Sequence, residues 1–260
     1  MEKFTHLNEQ TKRLIYLSKE ERISYLEEPL FIEYPRIKEL TQIFEQIMKT
    51  PKKPRMPNLL VIGEPNIGKT SIINQFYEKH QAAELEDANG YSIPHRPVIL
   101  ATAHTKANEK DLYLAILEAF WTPHKPTNTL AQLRHQMFSL MTECRVNLLI
   151  IDEIHHFLNG TPTQQRDVMQ ALKNIGTKLQ IPIIGVGIKD ASLVLGTDPQ
   201  LSSRFDIVKL SSWELDKSFR GLVNTFEKYL PLKKISNLAE QEKCTLLHNI
   251  SQGNLGDLHK

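Results

Sequence analysis

Five short apolar runs lie between residues 59 and 210 of this 260-residue sequence. They are found at 59–62, 98–100, 148–151, 181–186 and 207–210. Apart from Lys209 in the last run, these runs have no charged residue. A short, mainly apolar run indicates a strand that is buried on both faces, and helical spacing between the runs indicates crossover helices. The sequence therefore predicts an α/β fold with a central parallel five-stranded sheet.

Four crossover helices are expected, at 69–79, 108–121, 129–142 and 163–179. Asn108 and Thr163 supply candidate start signals, because a short polar side chain before a helix can accept hydrogen bonds from the first free amides. Together the runs and helices occupy residues 58–211, which we predict to be one α/β core.

The pattern changes on both sides of this core. Residues 1–57 are polar with helical spacing, and they end in a stretch rich in proline and basic residues that stops a helix. After residue 211 the spacing stays helical and no further apolar run follows. We therefore predict a helical N-terminal lead-in and linker at 1–57 and a small helical lid at 212–260, whose last helix is expected to be cut short.

Cysteine spacing, the length of apolar stretches and the net charge exclude several classes of protein. Cys144 and Cys244 lie far apart and outside any CxxC or Cys/His spacing, so neither a disulfide framework nor a zinc site is predicted. No stretch approaches the length of a membrane span and no signal peptide is evident, so we expect a cytoplasmic protein with no membrane partner. The net charge of +2 does not indicate nucleic-acid binding by itself, so any DNA contact requires a local patch.

A glycine-rich segment follows the first apolar run and opens the helix expected at 69–79. Its residues, with the one that follows them, are Gly63, Glu64, Pro65, Asn66, Ile67, Gly68, Lys69, Thr70 and Ser71. The segment matches the P-loop in motif and in context, because its glycines let the backbone approach phosphates and its amides face an anion at the helix start. We therefore predict that it binds ATP, with Lys69 on the β- and γ-phosphates and Thr70 on Mg²⁺.

Two carboxylates follow the third apolar run. Asp152 and Glu153 stand at the carboxyl end of the predicted strand, the edge of a parallel sheet at which the P-loop also lies. We predict that Asp152 binds Mg²⁺ indirectly or through water, and that Glu153 polarises the attacking water as a base. His155 and His156 come next, and without a ligand cluster in the sequence we interpret them as polar residues at the edge of the site.

Four strings in a fixed order resemble one protein family. They read FIEYPRI at 31–37, LIIDEIH at 149–155, VGIKDA at 186–191 and DPQLSSRF at 198–205. With the P-loop they resemble the AAA+ ATPases of the TniB and TnsC type, which regulate transposition. The resemblance covers nearly the whole chain. It implies a homo-oligomer, a ring or a filament, that forms on double-stranded DNA and links a target-selection protein to a transposase.

The resemblance also implies roles for single residues of the ATPase site. Arg204 takes the place of an arginine finger that reaches a neighbouring subunit's γ-phosphate; the alternative is a surface salt bridge. Ile188 stands where such ATPases carry a polar sensor, so sensor function is in doubt, although Lys189 or Asp190 could partly substitute for it. Asp257 stands where many relatives carry arginine, which leaves a second sensor unsupported.

Further implied contacts concern DNA and the adenine base. Four DNA candidates lie in two loops beyond the second strand: Lys106, Lys110, Lys125 and Thr127. Such contacts would be made to phosphates without reading sequence, and the alternative for each is a solvated side chain. Tyr34 and Pro35 are expected to border the adenine, with core packing as the alternative.

Three functions are therefore compatible with the sequence. The first is a DNA-binding regulator of transposition that hydrolyses ATP, slowly and in dependence on DNA and oligomer, to control its assembly. The second is a nucleotide-bound scaffold with negligible turnover, suggested by Ile188 and by the missing second-sensor arginine. The third is a helicase loader or defence-type AAA+ ATPase, which shares the P-loop and the carboxylate pair but acts on another partner.

Overall fold

The computed structural model describes residues 4–27, 31–86, 90–105, 108–123, 125, 127–196 and 203–259. The chain divides into two compact units. The larger unit is Glu39–Leu210, and the smaller one combines the segments up to Lys38 with those from Ser211 onward. The predicted boundaries after residues 57 and 211 stay a prediction.

The larger unit contains a five-stranded sheet and a separate hairpin. Its strands are β1 (Asn58–Gly63), β2 (Ala83–Glu86), β3 (Ser92–His95), β4 (Val98–Thr102), β5 (Leu148–Asp152), β6 (Ile183–Gly187) and β7 (Phe205–Leu210). The sheet has the order β4-β5-β6-β1-β7, and each of its pairs is parallel. The predicted α/β class and the five parallel strands are confirmed.

The helices of the larger unit alternate with these strands. They are α4 (Lys69–Lys79), α5 (Glu109–Ala119), α6 (Leu130–Glu143), the 3-10 helix Ile154–Asn159, α7 (Pro162–Leu179) and α8 (Ala191–Gly196), together with most of α3 (Pro35–Met48). The core lies between helices and sheet: Leu149, Ile116 and Leu172 are completely buried. Because helices cover the sheet, its central strands need apolar side chains on both faces.

Two of the helix starts show how local sequence sets the boundaries. The Asn108 side chain accepts a hydrogen bond from the Asp111 amide at 2.8 Å, which confirms this cap. The expected cap at Thr163 is wrong: α7 begins one residue after Thr161, whose hydroxyl accepts from the Gln164 amide while the Gln164 side chain accepts from the Thr161 amide. A capping box requires Gln three residues after the cap, and Pro162 at the first helical position fits the same start.

The hairpin of β2 and β3 was not predicted from the sequence. Its two strands pair antiparallel, from Ala83 opposite His95 to Glu86 opposite Ser92. All of β2 is exposed and β3 is at most half-buried. A four-residue exposed strand needs no apolar run, so the pattern that indicates the buried strands is missing here.

The smaller unit is helical in its described residues. Its helices are α1 (Glu9–Leu14), α2 (Lys19–Glu27), the start of α3, α9 (Lys217–Tyr229), α10 (Gln241–Ser251) and α11 (Leu255–His259). Segments from both ends of the chain join in it: the Asn8 amide donates to the Lys228 carbonyl at 3.1 Å, and the Arg22 guanidinium to the Pro231 carbonyl at 2.7 Å. Within the parts of the chain described above, no helix has both the length and the apolar character needed to cross a bilayer.

Candidate nucleotide site

The loop between β1 and α4 depends on its two glycines. A Cβ on Gly63 would lie 2.6 Å from the Leu210 carbonyl oxygen, so only glycine lets β1 and β7 approach this closely. Gly68, directly before α4, has a φ of 94°, in the left-handed region that glycine adopts without strain. The loop therefore turns tightly from the sheet into the start of α4, where free backbone amides favour an anion.

The Lys69 side chain is folded into this loop. Lys69 is only 8% exposed, and its Nζ donates to the carbonyls of Gly63 at 2.9 Å and Glu64 at 2.7 Å. Burial lowers the pKa of Lys69 from its ordinary value, and the negative charges of Glu153 and Asp152 oppose this lowering. The ammonium group therefore lies within the field of both carboxylates, and it must leave its two carbonyl partners to meet a phosphate.

Thr70 and Asp152 contact each other across the sheet edge. The Thr70 hydroxyl donates to Asp152 Oδ2 at 2.9 Å, and the Glu153 amide donates to Asp152 Oδ1 at 2.9 Å. Burial raises the pKa of Asp152, whereas these two hydrogen bonds favour its charged form. The hydroxyl and the carboxylate thus present neighbouring oxygen donors, the kind of ligand that Mg²⁺ prefers.

Glu153 turns the chain sharply from β5 into the 3-10 helix. Its φ of 54° places a non-glycine residue in the left-handed region, which costs about 1–3 kcal/mol, and such residues are enriched at functional sites. Its Oε2 lies 3.1 Å from His155 Nδ1. His155 Nδ1 is nevertheless buried without a hydrogen-bond partner among the described residues. Burial lowers the pKa of His155.

The two histidines form a grouping with Glu153 that the sequence did not predict. The ligand atoms of Glu153, His155 and His156 all lie within 4.8 Å of one another. His156 Nδ1 lies 3.0 Å from the Ala103 carbonyl oxygen, and the Ala103 amide donates to the Asp152 carbonyl at 2.9 Å. The left-handed turn at Glu153 brings these side chains together, and no residue type in the sequence announces such a turn.

Residues 188–190, at the expected sensor position, differ in burial and in their contacts. Ile188 is half-buried, and its carbonyl accepts from the amide of Ala191 at the start of α8. Lys189 forms an ion pair with Glu64 of the P-loop, although both side chains are substantially exposed. Asp190 is exposed. The Lys189 ion pair therefore connects this segment to the P-loop.

Arg204 lies at the opposite edge of the sheet from the P-loop. Its carbonyl accepts from the amide of Asn58 at the start of β1, and its guanidinium lies 3.5 Å from Thr177 Oγ1 in α7. The six residues of β1 separate this edge from Gly63, roughly 17 Å at the rise of a strand. Arg204 therefore cannot serve the nucleotide site of its own chain.

The described DNA candidates lie near the starts of α5 and α6. Lys125 and Thr127 lie before α6, where Lys125 is exposed, and Lys110 is half-buried in the first turn of α5. An ion pair of 2.6 Å between Glu109 and Arg134 joins these two helix starts. Lys106, the fourth candidate, lies outside the described residues. Their DNA contacts stay a prediction.

The expected adenine contacts belong to the smaller unit. Tyr34 is 6% exposed and packs edge-on against Trp213, with ring centroids 5.2 Å apart. Burial raises the pKa of its hydroxyl. Pro35 is the first residue of α3, a favoured place for proline. Tyr34 thus has a packing role, and its contact with adenine stays a prediction.

Asp257, at the expected second-sensor position, lies in α11.

Several solved structures share this fold. The chain is similar to the ORC2 protein of Aeropyrum pernix in its ADPNP and ADP complexes, with a TM-score of 0.52 and 12% identity over 77% of this chain and 52% of that one. It is also similar to Cdc6p of Pyrobaculum aerophilum, with a TM-score of 0.56 and 14% identity. That match covers 91% of this chain and 62% of the Cdc6p chain. A third similar structure is the Aeropyrum pernix ORC1 protein in complex with DNA, with a TM-score of 0.53 and 14% identity. That match covers 89% of this chain and 71% of the ORC1 chain.

At these identities the likeness concerns the fold, which is that of AAA+ ATPases. The chain spans less than two thirds of the ORC2 and Cdc6p chains. No curated protein sequence matches it. The family model described as "Bacterial TniB protein" matches residues 22–215, well over half of the chain. The chain therefore belongs to the TniB family.

Proposed function

We propose that this protein is an ATP-hydrolysing, DNA-binding regulator of transposition. It assembles as a homo-oligomer, a ring or a filament, on double-stranded DNA and connects a target-selection protein to a transposase. The observation that carries the proposal is the contact between the P-loop and the end of β5, where Thr70 Oγ1 lies 2.9 Å from Asp152 Oδ2. Membership of the TniB family supports the connection to transposition.

Residues 63–71 bind ATP in this proposal. The amides at the start of α4 receive the phosphates, and Lys69 exchanges the carbonyls of Gly63 and Glu64 for the β- and γ-phosphate oxygens. Thr70 and Asp152 fit Mg²⁺ because their oxygens are adjacent, and the ion supplies charge neutralisation on the phosphates. Glu153 orients and polarises the attacking water.

Assembly completes the site. Because Arg204 lies at the far edge of its own sheet, it can stabilise the transition-state charge only in the site of a neighbouring chain. Hydrolysis is therefore slow in the isolated chain and increases in the oligomer. A protein with the same fold, ORC1 of Aeropyrum pernix, has been solved in complex with DNA, which supports DNA as the surface for assembly.

DNA contact is assigned to the end of the unit where α5 and α6 begin. Lys110, Lys125 and Thr127 lie near these helix starts, and Lys106 precedes them in the sequence. Lysines and a hydroxyl at this end suit phosphate oxygens, which fix position without specifying sequence. Each lysine substitution that removes a phosphate interaction should lower the dependence of DNA affinity on salt by about one unit of slope.

A second function, a nucleotide-bound scaffold with negligible turnover, is favoured by two observations. The Lys69 ammonium is engaged by loop carbonyls, and the expected sensor position holds the apolar Ile188. Both would slow hydrolysis without preventing nucleotide binding. The two functions differ in turnover rather than in affinity for ATP.

Phosphate release with and without duplex DNA separates them. We expect DNA to stimulate release by the unaltered protein and Glu153→Gln to abolish that stimulation, because the amide cannot polarise water as a carboxylate does. Glu143→Gln, at the exposed end of α6, is the matched control and should retain stimulation. Equal release with and without DNA, unchanged in Glu153→Gln, would favour the scaffold.

A further inference from the structure

A group of nitrogen and oxygen donors stands beside the proposed magnesium ligands. Glu153, His155 and His156 each place one ligand atom within 4.8 Å of the others, and all three residues are half-buried. They are fixed on the turn after β5 and on the 3-10 helix that follows it. Two imidazoles and one carboxylate form a donor set that differs from the all-oxygen pair of Thr70 and Asp152.

His155 has a nitrogen that the described residues around it leave unsatisfied. Its Nδ1 is buried without a hydrogen-bond partner, although Glu153 Oε2 lies 3.1 Å away. A Cβ on Gly187 would lie 3.4 Å from this nitrogen, so the space beside it depends on residue 187 having no side chain. An unsatisfied buried polar atom costs about 1–3 kcal/mol, and a water molecule or an ion commonly accounts for it.

The His156 ring is held by a backbone carbonyl. Its Nδ1 lies 3.0 Å from the Ala103 carbonyl oxygen, which can only accept, so Nδ1 carries the hydrogen and Nε2 keeps the lone pair. A hydrogen bond from the second ring nitrogen to a carbonyl is the usual support for a ligating imidazole. Ala103 is itself tied to the end of β5 by its hydrogen bond to the Asp152 carbonyl.

We propose that Glu153, His155 and His156 form a binding site for a transition-metal ion such as Zn²⁺, separate from the magnesium ligands. Imidazole nitrogen suits zinc and related ions, whereas Mg²⁺ takes oxygen ligands. Bonds of about 2.1 Å place tetrahedral ligands roughly 3.4 Å apart, so side-chain adjustments of about 1 Å convert the present group into a coordination shell. Three protein ligands leave a fourth position for water.

The consequence for hydrolysis rests on the proposed function. A metal ion at this group takes the Glu153 carboxylate that is needed to polarise the attacking water. The P-loop amides, Lys69 and Thr70 are not ligands of this ion, so nucleotide binding persists. Zn²⁺ is therefore expected to inhibit turnover while leaving the ATP-bound form in place.

Cobalt absorption spectroscopy tests the site directly. Co²⁺ added to the full chain without nucleotide or DNA should give the visible absorption of a tetrahedral ion, saturate at one ion per chain and disappear when Zn²⁺ is added. Glu153→Gln, His155→Gln and His156→Gln should each weaken Co²⁺ binding at least about tenfold, because each removes a ligand. The matched control is His135→Gln on the exposed surface of α6, which should leave the spectrum unchanged.

The spectrum is independent of ATP hydrolysis, so loss of the proposed function would not affect it. Absence of the tetrahedral spectrum, or its persistence in Glu153→Gln and in both histidine variants, would overturn the site. If a histidine variant fails to fold, the loss of Co²⁺ binding in the isosteric Glu153→Gln variant still tests the site. Inhibition is measured separately by phosphate release and by binding of a fluorescent ATP analogue with Zn²⁺ present. Unchanged release at a Zn²⁺ concentration that saturates the site would contradict the inhibitory role.

Discussion

The carboxyl edge of the parallel sheet and its amino edge hold their polar groups in different ways. At the carboxyl edge, Lys69 and Asp152 are nearly buried, and hydrogen bonds of 2.7–2.9 Å hold Lys69 and Thr70 to partners of the same chain. At the amino edge, the half-buried Arg204 reaches the Thr177 hydroxyl at 3.5 Å. The first edge is organised within one chain, whereas the guanidinium at the second is held by a long hydrogen bond that a stronger partner can replace.

This difference separates nucleotide binding from hydrolysis. Because the groups of the carboxyl edge all come from one chain, we expect one chain to bind ATP by itself once Lys69 has left its carbonyl partners. Under the proposed function, the next chain orders the weakly held Arg204 side chain, so we expect turnover to depend on assembly. The 18-residue α7 connects the two edges: it begins after the 3-10 helix that carries the histidines, and Thr177 lies near its end.

The largest expected effect comes from Lys69→Ala at the carboxyl edge. The substitution removes the charge that meets the β- and γ-phosphates, so ATP-dependent coating of DNA should be lost. Electron microscopy of the protein with ATP and duplex DNA measures this directly. Lys79→Ala, at the other end of α4, is the control and should still coat DNA. Undiminished coating by Lys69→Ala would show that the carboxyl edge does not control assembly.

Arg204→Ala should lower oligomer-dependent hydrolysis by roughly 10³-fold or more, the contribution of an arginine finger, without weakening ATP binding by the isolated chain. Arg204→Lys is expected to recover little, because lysine lacks the planar, bidentate group. Phosphate release in the presence of DNA is the measurement.

Mixing two inactive variants shows whether Arg204 acts between chains. Glu153→Gln retains Arg204 and an unaltered P-loop, so it should still assemble, and Arg204→Ala retains Glu153, so each variant supplies the half that the other lacks. Mixed on DNA, they should regain part of the activity that neither has alone. If the mixture is as inactive as its components, Arg204 does not act in a neighbouring chain's site. The two edges would then not divide binding and hydrolysis between chains.

The sequence predicts one part of this arrangement well and another part poorly. The five strands and the P-loop follow from apolar runs and from a glycine-rich motif, because burial on both faces and a tight phosphate loop each require specific residue types. The hairpin at 83–95 is exposed, so nothing in its composition had to be apolar. The sequence does distinguish Thr161 from Thr163, because Gln164 stands three residues after Thr161 and Pro162 follows it directly, whereas Arg166 stands three residues after Thr163.

The grouping of Glu153 with its two histidines was unpredictable for a different reason. Neighbours in sequence can point in different directions, and the left-handed conformation at Glu153 decides where the side chains of His155 and His156 lie. Backbone strain of this kind is a property of the folded chain and has no signature in residue types. The same holds for the Lys69 hydrogen bonds, which depend on how the loop closes.

A moderate effect is expected from Gly63→Ala, where β1 meets the P-loop. The added Cβ would lie 2.6 Å from the Leu210 carbonyl oxygen, so the strands must separate, at a cost of about 2 kcal/mol. This corresponds to roughly 4–8 °C in the midpoint of thermal unfolding. Gly196→Ala in the same unit is the control: its Cβ meets none of the described residues within 4 Å, and its effect should stay below about 0.5 kcal/mol. Equal shifts for both variants would contradict the close approach at Gly63.

The smallest effect concerns the start of α7, the helix that joins the two edges. Thr161→Ala removes the hydroxyl that caps the Gln164 amide and should cost about 1 kcal/mol of stability. Thr163→Ala, two residues later in the first turn, leaves that capping bond intact and replaces a β-branched residue by a better helix former, so it should be neutral or slightly stabilising. Urea unfolding of both variants measures the difference. If Thr163→Ala were the more damaging change, α7 would begin at Thr163, and the link between the carboxyl edge and Thr177 would be shorter than the structure shows.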